Sequence, residues 1–168
     1  MTHTYTNDHA PLYKKFPDST PEKENFLWVS NDRARDLMAE GMLPPNTSEP
    51  VNNKHYAMID AQLTTEIFGV FAPCRPDVAL KMAHLPIRTT AKNEAQWISQ
   101  FYVTMHSLAA CSDKSLPMQK QLEWLAMQAR PVLPEGSYPA AMFDFVRAAY
   151  LANPDKNDWE KTRDALYQ

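Results

Sequence analysis

The sequence predicts an all-α protein: a single compact multi-helix domain of about seven helices over residues 30–168, preceded by an irregular N-terminal arm over residues 1–29. Apolar residues recur at spacings of three and four along most of the chain, and no stretch alternates long enough to predict a strand. The 14 prolines lie mostly between these periodic stretches, where they end or begin helices. A chain of 168 residues is long enough to bury one sizeable core.

The arm is predicted from its prolines and polar residues, and its aromatic side chains are available to pack on the domain. These aromatic residues are Tyr13, Phe16, Phe26 and Trp28. The first helix is predicted to start at Ser30 or Asn31, since either side chain suits an N-cap. It is predicted to run to Glu40 and to stop at Gly41, which adopts the left-handed backbone of a helix end without strain.

The clearest periodic stretch predicts a helix over Lys54–Phe71, after a proline-rich loop at residues 44–53. Its apolar stripe consists of Tyr56, Ile59, Leu63, Ile67 and Val70, and Ala57, Ala61 and Phe68 widen it. Because the stripe is wide and strongly apolar, we expect this helix to lie at the centre of the core.

Four further helices and one short one follow, each bounded by proline or a turn. They are predicted at 76–84, 91–110, 117–130, 139–152 and 158–167, with residues 85–90 as a connector. The side chains expected to face inward include Ala95, Ile98, Tyr102, Met105, Ala109, Leu122, Leu125, Ala129, Phe143, Val146, Tyr150, Trp159, Thr162 and Leu166.

Composition and charge narrow the classes of partner. The formal net charge is −3, and Lys and Arg are scattered without a run that follows a phosphate backbone, so no nucleic-acid partner is expected. No apolar run approaches the roughly 18 residues that a membrane span needs, and we expect a cytoplasmic protein with no membrane partner. Only Cys74 and Cys111 are present, without a CxxC pair, so we expect reduced thiols.

Polar residues within the apolar helix form a first candidate site. Asp60 and Thr64 share one helix face, and Gln62 and Glu66 share another, because residues four apart lie on the same side. Such positions indicate either a solvent-exposed face or the lining of a ligand cavity. Both interpretations stay open, and Asp60 and Gln62 are the candidate ligand-binding residues.

Arg88 and Thr89 form a second candidate site, in the segment LPIRTTAKNEA. Thr89 or Thr90 suits the N-cap of the following helix, and Arg88 stands just before it. A guanidinium beside the free N–H groups of a helix start is suited to a phosphate or carboxylate. The alternative is a capping threonine next to a surface arginine.

Catalytic and metal-binding patterns are missing from the sequence. His106 and Ser107 are adjacent, so on a helix their side chains diverge by about 100° rather than pair. The five histidines show no HExxH and no spacing typical of zinc sites, and three glycines are too few for a GxGxxG or P-loop cradle. We predict no catalytic residue, no metal ligand and no bound cofactor in this chain.

The order of several segments resembles the middle of the ADP-ribosylglycohydrolase-like family (the ADP-ribosylation/crystallin J1 group). The main run is YAMIDAQLTTEIFGVFAPCRPDVALKMAHLPIRTTAKNEAQWISQFYVTMHSLA, which is similar to the family's IDAQ helix, APGxP turn and following helices. LMAEGMLPPNTSEPVNN and YPAAMFDFVRAAYLANPDKNDWEKTRDAL resemble the flanking segments, so the likeness covers about residues 31–167. Cys74 departs from the family, whose turn usually has Gly there, although Arg75 and Pro76 are retained.

The resemblance implies an all-helical hydrolase that holds two magnesium ions between an Asp-Asp-Thr motif and an Asp-x-Asp-Thr motif. Hard cations need several carboxylate oxygens, which then position a water to attack the ribosyl bond. Neither motif occurs in this sequence. The resemblance therefore implies a protein that is not active alone.

Two hypotheses follow. The first is a partial or degenerate ADP-ribosylglycohydrolase-like protein that meets ADP-ribose or an ADP-ribosylated substrate, with Arg88 at a phosphate and Asp60, Gln62 and Thr89 nearby. The second is a non-enzymatic helical interaction module, such as an inhibitor, immunity or adaptor protein. An exposed apolar patch, covered by a protein partner, is the feature that favours the second hypothesis.

Overall fold

The computed structural model describes residues 27–167, and within that range it contains eight α-helices, two short 3-10 turns and no β-strand. The helices are α1 (Val29–Ala39), α2 (Asp60–Thr65), α3 (Ile67–Phe71), α4 (Pro76–Thr90), α5 (Glu94–Ala109), α6 (Met118–Ala129), α7 (Tyr138–Ala152) and α8 (Trp159–Asp164). The prediction of a compact all-α domain is confirmed. The predicted arm lies outside the described residues except for its last three positions, of which Val29 already belongs to α1.

The end of α1 is where the sequence placed it, but its start is not. Gly41 has a left-handed backbone (φ 94°), and the N–H groups of Gly41 and Met42 bond carbonyls of the last turn of α1. This is the hydrogen-bond pattern of a Schellman motif. The predicted N-cap at Ser30 or Asn31 is wrong: α1 begins at Val29, and the side chain of Ser30 is buried instead of capping the helix.

The single helix predicted over Lys54–Phe71 is wrong in extent and in orientation. Turns occupy residues 54–59, and two short helices, α2 and α3, meet at Glu66. The predicted core stripe is exposed, with Ile59 at 46%, Leu63 at 54%, Ile67 at 46% and Val70 at 56%. Of the side chains that widen the stripe, Ala61 is buried and Phe68 packs on the core as predicted, and Gly69 faces the interior with them.

A close approach of α3 to α5 explains this reversal. A Cβ atom on Gly69 would lie 2.4 Å from the carbonyl oxygen of Val103 and 2.6 Å from the Cβ of His106. Only glycine fits there, and small side chains likewise bring α2 and α4 against α5. The core cluster of this region is mostly alanine: Ala61, Ala72, Ala79, Ala83, Ile87, Ala91, Ala95 and Val103.

The predicted end of the next helix at His84 is also wrong, because α4 continues through Pro86 to Thr90. The buried positions of α4 include Ala83, Ile87 and Thr90, so its inward face extends beyond the proline. Packing of this face on α5 offsets the backbone hydrogen bond that Pro86 removes. The helix α5 then begins at Glu94, after Asn93 with a left-handed φ of 56°.

Cys74 and Cys111 form a disulfide, so the prediction of reduced thiols is wrong. Their Cα atoms are 5.5 Å apart although 37 positions separate them in sequence. Ser107, in the last turn of α5, holds the turn that carries Cys74: its Oγ donates to the carbonyl of Ala72 (2.5 Å) and accepts from the N–H of Arg75 (3.1 Å). The packing of α5 on this turn, which spacing does not reveal, brings the two thiols together.

The helices α6 and α7 both pack on α5 and run antiparallel, since Tyr150 bonds Glu123 and Asp144 bonds Arg130; α8 follows them. The inward positions predicted at Leu125 and Ala129 are confirmed. Four other positions predicted inward are exposed: Leu122 (51%), Val146 (37%), Trp159 (62%) and Leu166 (37%). None of the helices within residues 27–167 is long and apolar enough to cross a membrane.

Candidate functional site

Asp60 lies at the start of α2, and it is 2% exposed. One carboxylate oxygen, Oδ2, accepts hydrogen bonds from the backbone N–H of Ser30 (3.1 Å) and from the Ser30 hydroxyl. The side-chain amide of Asn53 donates to the carbonyl of Ser30 (3.1 Å). The solvent-exposed interpretation of Asp60 is therefore wrong, because this carboxylate ties α1 to α2 in the interior.

The second oxygen of Asp60 is less well satisfied. Oδ1 is buried and has no hydrogen-bond partner among the described residues. Gln62, the other candidate on α2, is half-buried. A buried carboxylate with one free acceptor is a costly arrangement, so this position is one where a donor from outside the described residues would be favourable.

Arg88 lies in the last turn of α4, where it is committed to an internal ion pair. Its Nη2 donates to Glu49 Oε1 (2.8 Å), its Nε donates to Ser48 Oγ (3.1 Å), and its side chain is only 13% exposed. Lys92 bonds the other oxygen of Glu49. The hydrogen bond from Lys92 holds the pKa of Glu49 below its ordinary value, and Arg88 adds to that effect.

Thr89 does not cap a helix. Its hydroxyl donates to the carbonyl of Leu85 (2.9 Å) within α4, and its own carbonyl accepts from the hydroxyl of Thr47 (2.8 Å). The predicted anion site placed Arg88 and Thr89 at a helix start, and this placement is wrong, since both stand at the carbonyl end of α4. Arg88 and Thr89 instead attach the 46–49 turn to α4.

The four candidate residues thus form two separate pairs. Asp60 and Gln62 belong to α2, where only Asp60 bonds α1, whereas Arg88 and Thr89 belong to α4 and face the 46–49 turn. No hydrogen bond or ion pair of the described residues joins one pair to the other. Their role in ligand binding stays a prediction.

Residues 27–167 do not fit the dimagnesium centre that the family resemblance implies. Within that range no three His, Cys, Asp or Glu side chains come together in a group that could hold a metal ion. Asp60 is one carboxylate bonded to a serine, and Mg²⁺ requires several oxygen ligands in octahedral geometry.

His106 and Ser107 are not a catalytic pair. Ser107 Oγ bonds the carbonyl of Ala72, while His106 Nδ1 lies 2.8 Å from the carbonyl of Tyr102. The other imidazole nitrogen, Nε2, is 3.9 Å from a carboxylate oxygen of Glu66, beyond hydrogen-bond distance. The serine secures a turn and the histidine lies along its own helix.

One cavity of about 450 Å³ lies between α1 and the 50–55 loop. It is lined by both acidic and basic side chains, among them Asp32, Asp36, Arg33 and Lys54. Arg33 Nε donates to the carbonyl of Asn52 (3.0 Å), which fixes the guanidinium to the loop. This mixture of charges favours no single class of ligand.

A larger cavity is an apolar groove of about 1300 Å³ over α5, between α6 and α7, and we call it the α6–α7 groove. Its floor is formed by Phe101 and Tyr102, and its walls include Leu122, Met127, Met142 and Val146. Tyr150 closes one end, where its hydroxyl lies 3.3 Å from Glu123 of α6. The helices α6 and α7 pack on α5 more than on each other, which leaves the groove open.

Sequence reasoning missed this groove because it assigned the apolar residues of α6 and α7 to a buried core. A signal was present: both helices carry large apolar side chains on more than one face. Trp124 and Met127 on α6 and Met142 and Phe145 on α7 lie between 37% and 51% exposed, beside the buried Leu125 and Ala140. A helix that is apolar nearly all round predicts a second contact surface.

No family model, no curated protein and no solved structure matches this chain.

Proposed function

We propose that this chain is a helical scaffold of the ADP-ribosylglycohydrolase-like kind, which recognises ADP-ribosyl groups and does not hydrolyse them alone. One observation carries the proposal. Cys74 has a left-handed φ of 59°, and it occupies the turn position at which the resembled family usually has Gly. A non-glycine residue in this conformation is uncommon, so the backbone supports the alignment of the APCRP turn with the family's APGxP turn.

The residues after the turn agree with the same alignment. Pro76 stands at the first position of α4, where its missing N–H costs nothing. The order helix, turn, helix, helix agrees with the resemblance, although α2 and α3 stand where the family has one helix and α4 continues through the polar connector. Asp60, Gln62, Arg88 and Thr89 remain the proposed contacts, and Arg88 has to exchange Glu49 for a phosphate in order to bind.

Calorimetric titration of the chain with ADP-ribose, with and without Mg²⁺, tests this proposal together with an assay of ADP-ribosylated protein hydrolysis. We expect binding without turnover. Glu49→Gln removes the carboxylate that competes for Arg88, so it should tighten ADP-ribose binding severalfold. Glu135→Gln, which removes an exposed partner of Arg130, is the matched control and should change nothing. Turnover by the chain alone, or no binding at all, contradicts the proposal.

A non-enzymatic helical interaction module is the second candidate, and the α6–α7 groove favours it. Its walls and floor are mostly apolar, and a surface of this kind is typical of a site for a protein partner. The candidate ligand residues, by contrast, are engaged inside the protein.

An uncharged amphipathic peptide tests the second candidate. We expect an 18-residue fluorescein-labelled helix, with leucines at spacings of three and four and glutamines elsewhere, to bind with a dissociation constant on the order of micromolar. Val146→Glu, inside the groove, should abolish the rise in anisotropy, whereas Val70→Glu on α3 should leave it unchanged. Equal effects of the two substitutions contradict a role for the groove.

The cytoplasmic location stays a prediction. Disulfides such as Cys74–Cys111 persist mainly in oxidising compartments, so the bond argues against a reducing cytosol.

A further inference from the structure

The shape of the α6–α7 groove selects a helix over an extended peptide. Its walls are two antiparallel helices whose backbone groups are paired internally, so they offer no strand edge to a peptide. An extended segment would leave its own N–H and C=O groups unpaired over an apolar floor. A helix satisfies its backbone itself, and α6, with 12 residues and therefore roughly 18 Å long, sets a matching length of about three turns.

The charges around the groove are unequal. Lys120, Arg147 and Lys156 line it together with one carboxylate, Glu123, which gives three cations against one anion. Lys120 bonds Glu123 (2.8 Å), and this hydrogen bond holds the pKa of the Glu123 carboxyl below its ordinary value. The single carboxylate of the groove is therefore already engaged.

The other two cations form no ion pair with a carboxylate that lines the groove. Lys156 donates to carbonyls at the end of α7, including that of Leu151 (2.9 Å). Arg147 is exposed and makes no hydrogen bond or ion pair with the described residues. By Coulomb attraction alone it lowers the pKa of the Glu123 and Asp144 carboxyls, so its N–H donors are available to a carboxylate brought by a ligand.

We infer that the groove binds an amphipathic helix of a partner protein, with acidic residues flanking the apolar stripe, and that Arg147 selects for those acidic residues. The inference rests on the interaction-module function. A second copy of the chain is a poorer occupant, because a two-fold interface through this face would set the same cationic rim against itself. The apolar floor supplies the affinity, and the cationic side chains around the groove supply the preference for acidic residues.

Three 18-residue peptides with the same leucine stripe, flanked by Glu, Gln or Lys, test the inference by fluorescence anisotropy on the full chain. We expect the Glu peptide to bind about two- to fivefold more tightly than the Gln peptide and the Lys peptide to bind more weakly by a similar factor. Higher ionic strength should shrink these differences.

Two variants test whether Arg147 causes the preference for the Glu peptide. Arg147→Gln should bring the three affinities together without loss of Gln-peptide binding, and Arg147→Glu should reverse their order. Arg163→Gln, on α8 and outside the groove, is the matched control and should keep the Glu preference.

Each outcome is distinguishable. Equal affinities for the three peptides overturn the acidic partner while leaving the interaction module intact, and no binding by any peptide overturns both. Light scattering adds a further test. If the wild-type protein has twice the 19.2 kDa mass of one chain and the Val146→Glu variant has the mass of one chain, the groove serves self-association and the partner protein is overturned.

Discussion

The two halves of this helical domain differ in how closely their helices approach one another. In the packed half, α1–α5, the core consists mainly of alanines, and a glycine lets two helix backbones meet. In the open half, α6–α8, large residues such as Trp124, Phe145 and Trp159 remain exposed. Close packing thus depends on small residues at helix contacts. Both halves expose large apolar side chains, but those that line the α6–α7 groove surround a cavity.

The largest expected effect concerns the closest contact of the packed half. Gly69→Ala places a Cβ atom 2.4 Å from the carbonyl oxygen of Val103, and this backbone has little room to yield. We expect a loss of about 3 kcal/mol or more in the free energy of unfolding. Gly136→Ala, with a left-handed φ of 75° and open space around it, should lose only about 1–2 kcal/mol. Urea denaturation measures both, and similar losses contradict the close approach of α3 to α5.

The disulfide is the next test of the packed half. Cys111→Ser opens a loop of 37 residues, which should lower the free energy of unfolding by about 2–4 kcal/mol. Cys111 is the better choice for substitution because its backbone is not left-handed, unlike that of Cys74. Dithiothreitol should destabilise the wild-type protein by the same amount and leave the variant unaffected. A reductant effect on the variant, or none on the wild type, contradicts the bond.

A buried serine–aspartate pair and an exposed one should differ less in their contribution to the free energy of unfolding. Ser30→Ala removes the hydroxyl donor to the buried Asp60, and we expect a loss of about 1–3 kcal/mol, because one carboxylate oxygen there already lacks a partner. Ser115→Ala removes an equivalent bond to Asp113 (2.7 Å) on the surface and should cost less than about 0.5 kcal/mol. Thermal unfolding compares the two, and equal costs contradict the burial of Asp60.

The smallest effect is expected in the open half. Leu122→Gln should change the free energy of unfolding by no more than about 0.5 kcal/mol, since this side chain is 51% exposed. Leu125→Gln, three residues along the same helix and 7% exposed, should lose about 2–4 kcal/mol. A large loss at Leu122 shows that the groove is filled in solution.

Much of the helix pattern was predictable from local sequence. The ends of α1, α6 and α7 follow from Gly41, Pro131 and Pro154, because glycine and proline restrict or free the backbone at their own positions. Pro86 shows where this local rule failed: the buried face of α4 continues past it, and packing outweighs one lost hydrogen bond.

The candidate site was harder to predict, because it depends on partners that are distant in sequence. Arg88 was predicted either to meet an anionic ligand or to lie on the surface, and it pairs with Glu49, 39 residues away. Asp60 was expected either on a solvent-exposed face or beside a ligand, and its partner is Ser30, 30 residues away. Spacing along one helix gives the face of a residue and does not reveal what packs against that face.

By itself the sequence determined the all-helical class and several of the helix ends, since periodicity, glycine and proline act within a few residues. Only the tertiary structure decided which helix faces are buried, which cysteines pair and where a groove remains. Those outcomes depend on how closely two backbones approach. The closest approach described above joins Gly69 and Val103, two residues 34 positions apart in the chain.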